Sequence, residues 1–315
     1  MNTPIFETLD VTIPPDHIDY GELKIRSPES WHLPRSEWRS IRNIATGKTT
    51  KVAVLDTGYT KHTALPNAVA FKSFIPGQRA DLDRNGHGTH CAGTILARDE
   101  DIGVAPEASL YVNKVLSDQG GGPSSGIAAG VNWAIGQGVD VISMSLGGGS
   151  AYQPTINAIK LAMSKGIIVC IAAGNAGFNG RYNTIGWPAK SRQGVVVGAT
   201  TSSGGRASFS SGGRELDIMA PGQRIISCKN DGSGWTVMSG TSMATPFVAG
   251  GFSLIVERMR AEGHAKWTAI ESVRRFIQLN AKDMLTPGFD DASGWGIFNM
   301  AEVLHRIAAK ELRFV

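Results

Sequence analysis

The chain has 315 residues, a formal net charge of +4 and no Lys/Arg-rich run, so no nucleic-acid partner is expected. It holds no run of about 18 apolar residues, so no membrane span is expected either. Three cysteines, Cys91, Cys170 and Cys228, are too few for a disulfide framework and suit a reducing compartment.

Residues 1–28 carry Pro4, Pro14, Pro15 and Pro28 with little helical period and read as an N-terminal extension. Residues 29–315 read as one domain, since no repeat or low-complexity linker divides 29–308. The start MNTPIFETLDVTIPP has neither a basic lead nor an apolar core, so it is no secretory signal and a cytoplasmic location is expected. Residues 29–45 mix Trp31, Leu33, Trp38, Ile41 and Ile44 with polar partners and predict a short helix. The run from Lys51 reads as a buried strand ending at the carboxylate Asp56. A glycine-rich turn then feeds a small-residue helix beginning near His87.

Further strands are expected at 109–116, 139–146, 166–175, 195–199 and 216–222, with helices at 127–135 and 155–164 between them. Gly120, Gly121 and Gly122 read as a loop. Continuous apolar strands alternating with helices specify an α/β fold: three layers, a mostly parallel central sheet and helices on both faces. Such sheets gather ligands outside the carboxyl ends of their strands. Asp56, Ser145–Gly148 and Asn175 all fall at those ends.

Ser242 precedes a long apolar run and sits where a buried helix should start, so by itself it reads as a helix cap. A helix start also offers unpartnered N–H groups and a positive dipole end to a developing oxyanion. A serine nucleophile needs a base, and the base needs an orienting carboxylate. His87 and Asp56 can supply these, and the amide of Asn175 can donate to an oxyanion. His90 lies three residues after His87, but the pattern is HGTH and not the zinc pattern HExxH, so it reads as a packed histidine. An α/β-hydrolase order fails because it needs the histidine after the serine, and only His264 and His305 follow Ser242, neither in a motif. Gly147-Gly148-Gly149 does not complete a dinucleotide-binding glycine pattern.

VAVLDTG (52–58), NGHGTHCAGTI (85–95), ISMSLGG (142–148), AAGN (172–175) and SGTSMATP (239–246) together resemble the subtilisin-like serine peptidases, the subtilases, in family order across about 200 residues. The resemblance implies a serine endopeptidase acting through an acyl-enzyme. Asp56 would be orienter, His87 general base and then acid, Ser242 nucleophile, and Asn175 with the Ser242 N–H the oxyanion hole. A non-catalytic peptide-binding relative is the rival, and its mark would be a broken triad.

The family binds a polypeptide substrate as an added strand between two backbone edges, here Gly120-Gly121-Gly122 and Ser145-Leu146-Gly147. Leu146, Gly147, Ala172, Gly174 and Gly186 would line the primary pocket, a deep slot for large apolar residues. Ala176 stands where many subtilisins carry Glu, which weakens any preference for Lys. Ser124 and Ile127 would border a wide second pocket. No cofactor or metal is assigned. Calcium is common in the family, but the 96–104 loop is short, no carboxylate occurs in 59–65, and Thr201 replaces the aspartate of proteinase K-like relatives. About 50 residues precede the first strand expected from the sequence, and Leu9–Pro15 resembles the extension that lies across the active site of intracellular subtilisins, so autoinhibition by the N-terminal segment is expected.

Overall fold

The apolar runs become strands of one parallel sheet. The computed structural model describes residues 11–13, 30–99 and 101–312. In chain order the elements are β1 (Val11–Thr12), α1 (Arg35–Arg42), β2 (Lys51–Asp56), β3 (Ala70–Ser73), α2 (His87–Leu96), β4 (Ser109–Lys114), β5 (Gly121–Gly122), α3 (Ser124–Gly136), β6 (Val141–Met144), α4 (Gln153–Ser164), β7 (Ile168–Ala172), β8 (Val195–Thr200), β9 (Ile218–Pro221), β10 (Ile225–Cys228), β11 (Trp235–Met238), α5 (Thr241–Ala261), α6 (Ile270–Asn280) and α7 (Met300–Ala308). Seven strands pair in the order β3-β4-β2-β6-β7-β8-β9, each with its neighbour in parallel, and β10–β11 forms a separate antiparallel hairpin.

Successive residues of a strand face opposite sides of the sheet. A Cβ on Gly130 of α3 would lie 3.5 Å from the Leu55 side chain, whereas one on Gly88 of α2 would lie 3.2 Å from Asp56 Cβ. The two helices therefore cover opposite faces of β2. With both faces covered, β6, β7 and β8 are buried along their whole length, and this is why they read as unbroken apolar runs. α5 is buried on every side from Thr241 to Val256, as an all-round apolar helix requires.

Because β2 lies between β4 and β6, the chain crosses it in passing from β4 to β6. The carboxyl end of β2 thus sits at a change of winding direction, where α/β sheets form clefts. Two boundaries differ from the sequence reading. The strand expected over 166–175 is confined to Ile168–Ala172, because Gly166 (φ 74°) and Gly174 (φ 109°) turn the chain out of extended geometry on either side. The helix after residue 240 starts at Thr241 with Gly240 as its cap, so Ser242 is the second helical residue and not the cap itself. Among the described residues no helix is long and apolar enough to cross a membrane.

Buried His32 ties the segment ahead of α1 to the body. Its Nε2 donates to Ile102 O at 3.1 Å, so Nδ1 must accept from Ser30 Oγ, which fixes the neutral tautomer. Burial lowers its pKa to about 4, against a smaller raising effect of the Ile102 carbonyl. The unfolded chain therefore binds an extra proton between pH 6.5 and about 4. The stability from keeping His32 neutral is complete above pH 6.5 and is lost as pH falls toward 4, by up to roughly 3 kcal/mol. Urea unfolding should show His32→Gln with a flatter pH dependence than its parent over this window. Parallel curves would refute the assignment.

Candidate active site

Asp56 ends β2 and His87 begins α2, and the two meet with Asp56 Oδ1 2.7 Å from His87 Nδ1. The same oxygen accepts the Thr57 N–H at 2.7 Å. Burial alone would push the imidazole down, but the adjacent Asp56 carboxylate outweighs it and His87 is held well above the ordinary histidine value. Cys91, one turn further along α2, is pushed up by burial and remains a neutral thiol, so the attraction on His87 comes from Asp56.

The start of α5 packs against this pair. Pro246 lies inside α5 and has no N–H, so the carbonyl of Ser242 four residues earlier has no helical donor. Ser145 Oγ fills that place at 2.8 Å, and Cys91 Sγ approaches the same oxygen at 3.5 Å while lying 3.9 Å from His87 Nδ1. A proline one turn after the serine thus couples α5 to the end of β6 and to α2. Asp56, His87 and Ser242 are each exposed by 1% or less.

Asn175 follows β7. Its Oδ1 accepts from the Thr241 backbone N–H at 2.9 Å and from Thr241 Oγ1 at 3.0 Å. Because a backbone N–H can only donate, the amide orientation is determined, and Nδ2 must face the other way. That nitrogen is buried without a hydrogen-bond partner among the described residues, a costly arrangement unless an acceptor arrives there. The site can therefore present a donor to an oxygen that becomes negative during reaction.

Gly120–Gly122 is not a free loop. Val11 and Thr12 pair antiparallel with Gly122 and Gly121, and Ile13 N donates to Gly120 O at 2.9 Å. On its other side Thr12 exchanges two hydrogen bonds with Gly147, at 3.0 and 3.1 Å. A segment of the chain's own N-terminal region thus lies as a strand between the two edges. Gly147 and Leu146 precede the Gly148–Trp187 bridge, and Gly186 N donates to Ala173 O at 3.2 Å. A Cβ on Gly174 would lie 3.9 Å from Gly186 N, and one on Gly186 3.2 Å from Gly148 O. The glycines proposed for the pocket are therefore neighbours in space, with Ala172 at the end of β7 and Leu146 buried beside them. Ser124 and Ile127 lie in the first turns of α3, both buried.

His90 is buried, with Nε2 3.0 Å from Ile225 O. Among the described residues, the one group of His, Cys, Asp or Glu side chains close enough to share a metal is Asp56, His87 and Cys91, all within the site itself. Glu100 of the acidic loop, and Leu9, Asp10, Pro14 and Pro15 of the N-terminal stretch, lie outside the described residues.

Three features escaped the sequence reading. The register of the N-terminal strand has no signal, since two residues carry no periodicity. Thr241 as the orienter of Asn175 is hidden among small residues. Asp83, four residues before His87, was legible only as an acid in a turn; it is buried.

The family model described as the subtilase family matches residues 47–296. Subtilisin DY of Bacillus licheniformis is 46% identical over 216 residues, covering 67% of this chain and 78% of that protein. Subtilisin Savinase of Lederbergia lenta is 39% identical over 273 residues, covering 85% of this chain and 96% of that protein. Subtilisin E of Bacillus subtilis (strain 168) is 45% identical over 227 residues, covering 71% of this chain and 58% of that protein.

Proposed function

Given that this chain belongs to the subtilase family and is a serine endopeptidase, we propose that Ser242 is its nucleophile, His87 its base and Asp56 the orienting carboxylate. Ser242 Oγ attacks the scissile carbonyl as His87 Nε2 takes its proton. The imidazolium that forms is stabilised by the Asp56 contact at 2.7 Å. The oxyanion is received by Asn175 Nδ2 and the Ser242 N–H, and collapse to the acyl-enzyme passes the proton to the leaving amine. Water then repeats the cycle. The observation that carries this reading is the buried Asn175 Nδ2, unpartnered among the described residues, beside a tightly hydrogen-bonded Asp–His pair at the start of the Ser242 helix.

Peptide substrates are read as a strand between Gly120–Gly122 and Ser145–Gly147, with large apolar side chains preferred just before the cut. Gly147, Gly174 and Gly186 support that preference, because they leave the pocket without obstructing side chains. The unbridged state of all three cysteines is consistent with a cytoplasmic location.

The N-terminal stretch, residues 1–28, is read as an extension that inhibits the domain over 29–315. The strand at Val11–Thr12 supports this, since it uses the hydrogen bonds a substrate would use. Thr12 pairs antiparallel with Gly147, two residues after Ser145, whose carbonyl lies 3.5 Å from Ser242 Oγ. In the sequence Pro14-Pro15 comes soon after Thr12, and a bond to a proline nitrogen offers an enzyme a ring in place of an N–H. Val11, at the start of this strand, is buried in the core.

A tethered competitor acts at an effective concentration of order mM. Deleting residues 1–13 should lower the apparent KM for a peptide anilide by about tenfold or more. Thr12→Pro, which removes the N–H donated to Gly147 O, should act in the same direction without truncation. Unchanged kinetics in both variants would exclude autoinhibition.

A further inference from the structure

Asp83 is 1% exposed, and its carboxylate accepts five hydrogen bonds, all from neutral donors. Oδ1 takes Thr57 Oγ1 at 2.8 Å, Gly86 N at 2.9 Å and Asn85 N at 3.2 Å, and Oδ2 takes Thr89 N at 2.9 Å and Thr89 Oγ1 at 2.7 Å. A buried carboxylate is costly unless its lone pairs are filled, and here both oxygens are engaged. The donors come from two elements that supply different halves of the His–Asp pair. Gly86 and Thr89 belong to the start of α2, which carries His87, and Thr57 follows Asp56 directly at the end of β2.

α2 begins without a side chain of its own as cap. Gly86 occupies the cap position at φ 98°, and the N–H groups of the first turn are met from outside the helix. Thr89 N goes to Asp83 and Gly88 N to Thr57 Oγ1 at 2.9 Å. The Thr57 hydroxyl can accept from Gly88 only if its proton points elsewhere, and Asp83 Oδ1 takes that proton. Thr57 N meanwhile holds Asp56 Oδ1, the oxygen that contacts His87. A closed ring results: Asp56, Thr57, Asp83, the first turn of α2, His87 and back to Asp56. The backbones are already as close as they can be, since a Cβ on Gly88 would lie 2.3 Å from Gly58 O. The seating of α2 on β2 is thus set by hydrogen bonds that converge on one carboxylate.

We infer that Asp83 is a positioning residue for catalysis, which through Thr57 holds the His87 helix in register with Asp56. This rests on the triad reading above, and it assigns Asp83 no contact with substrate. An amide at position 83 can accept on one side only. Gly86 N faces one oxygen and Thr89 N the other, so Asp83→Asn must set donor against donor on one of them. A misplacement approaching 1 Å at the reacting groups costs up to about 100-fold in rate.

The test uses the full chain acting on a chromogenic peptide anilide, with active sites counted by fluorophosphonate titration so that misfolded protein is excluded. Asp83→Asn should lower kcat per site by about 10- to 100-fold with KM changed less than about twofold. Thr57→Val should lower kcat similarly, and Thr57→Ser, which keeps the hydroxyl, should restore it to within about threefold. The double variant Asp83→Asn/Thr57→Val should lose no more than the worse single, as members of one ring do. Unchanged kcat in Asp83→Asn, a Thr57→Ser as slow as Thr57→Val, or additive losses would each overturn the inference. If Asp83→Asn does not fold, the two Thr57 variants decide alone. Full activity in Ser242→Ala would instead overturn the triad reading itself.

Discussion

Ser242→Ala is expected to lower kcat by roughly 10⁶-fold, the loss measured for the catalytic serine of subtilisin itself, while KM changes little. The split follows from what the hydroxyl touches. Among the described residues it makes a long 3.5 Å contact to Ser145 O, so it contributes little to holding a ground-state peptide. In the proposed reading substrate is held by the edges at Gly120–Gly122 and Gly147, which the substitution leaves alone. The fold should survive as well. Residue 242 is helical, and alanine is the better helix former by a few tenths of a kcal/mol. The anchors of the helix start use the Ser242 carbonyl and Thr241, not the lost oxygen. The residual rate, from the oxyanion donors and binding alone, should still exceed the uncatalysed one. His87→Ala added to Ser242→Ala should cost almost nothing more, because the base has nothing left to deprotonate. Steady-state kinetics on a peptide anilide, with concentration taken from absorbance, checks this. A loss under about 100-fold, or full additivity with His87→Ala, would mean that Ser242 is not the nucleophile.

Asn175→Ala is expected to lower kcat by about 10²–10³-fold, equivalent to about 3–4 kcal/mol and in line with the known effect of losing this donor in subtilisin itself. The reason lies in the asymmetry of the amide. Oδ1 is committed to Thr241, whereas Nδ2 is buried without a partner among the described residues and, in the proposed reading, meets its acceptor only as the oxyanion forms. The loss should therefore fall on kcat and not KM. Alanine also strands the Thr241 N–H, so a stability loss of about 1–3 kcal/mol should accompany it and must be measured separately. Asn175→Asp sorts the two effects. It keeps acceptors toward Thr241 but sets a carboxylate oxygen where the donor stood, so it should regain stability relative to alanine and remain at least as slow. An Asn175→Asp enzyme that recovered activity would show that Asn175 serves only to hold Thr241.

The groups proposed to react were legible because each lies in a short stretch whose composition is dictated locally. An apolar strand can end in Asp56 only where that charge finds a partner, and a helix packed as tightly as α2 needs small residues after His87. The alternation of apolar runs with helices was enough to specify a parallel sheet, since such strands must be buried on both faces. Their ends were less legible. Where β7 stops depends on the left-handed backbone at Gly174, and a glycine in a sequence permits that conformation without requiring it.

The sequence by itself thus determined which side chains could do chemistry and that one sheet edge could gather them. Tertiary structure alone decided three other things. It put Val11 and Thr12 between Gly121–Gly122 and Gly147, a pairing made by backbone groups that every non-proline residue carries. It turned the Asn175 amide, because the N–H of a residue 66 positions away selects which end of a nearly symmetric group faces the cleft. It closed the ring through Asp83 and Thr57, whose donors come from separate elements. The physical reason is common to all three. Local composition limits what a residue can offer, whereas a hydrogen bond between distant segments exists only once packing has brought donor and acceptor within 3 Å or so of each other.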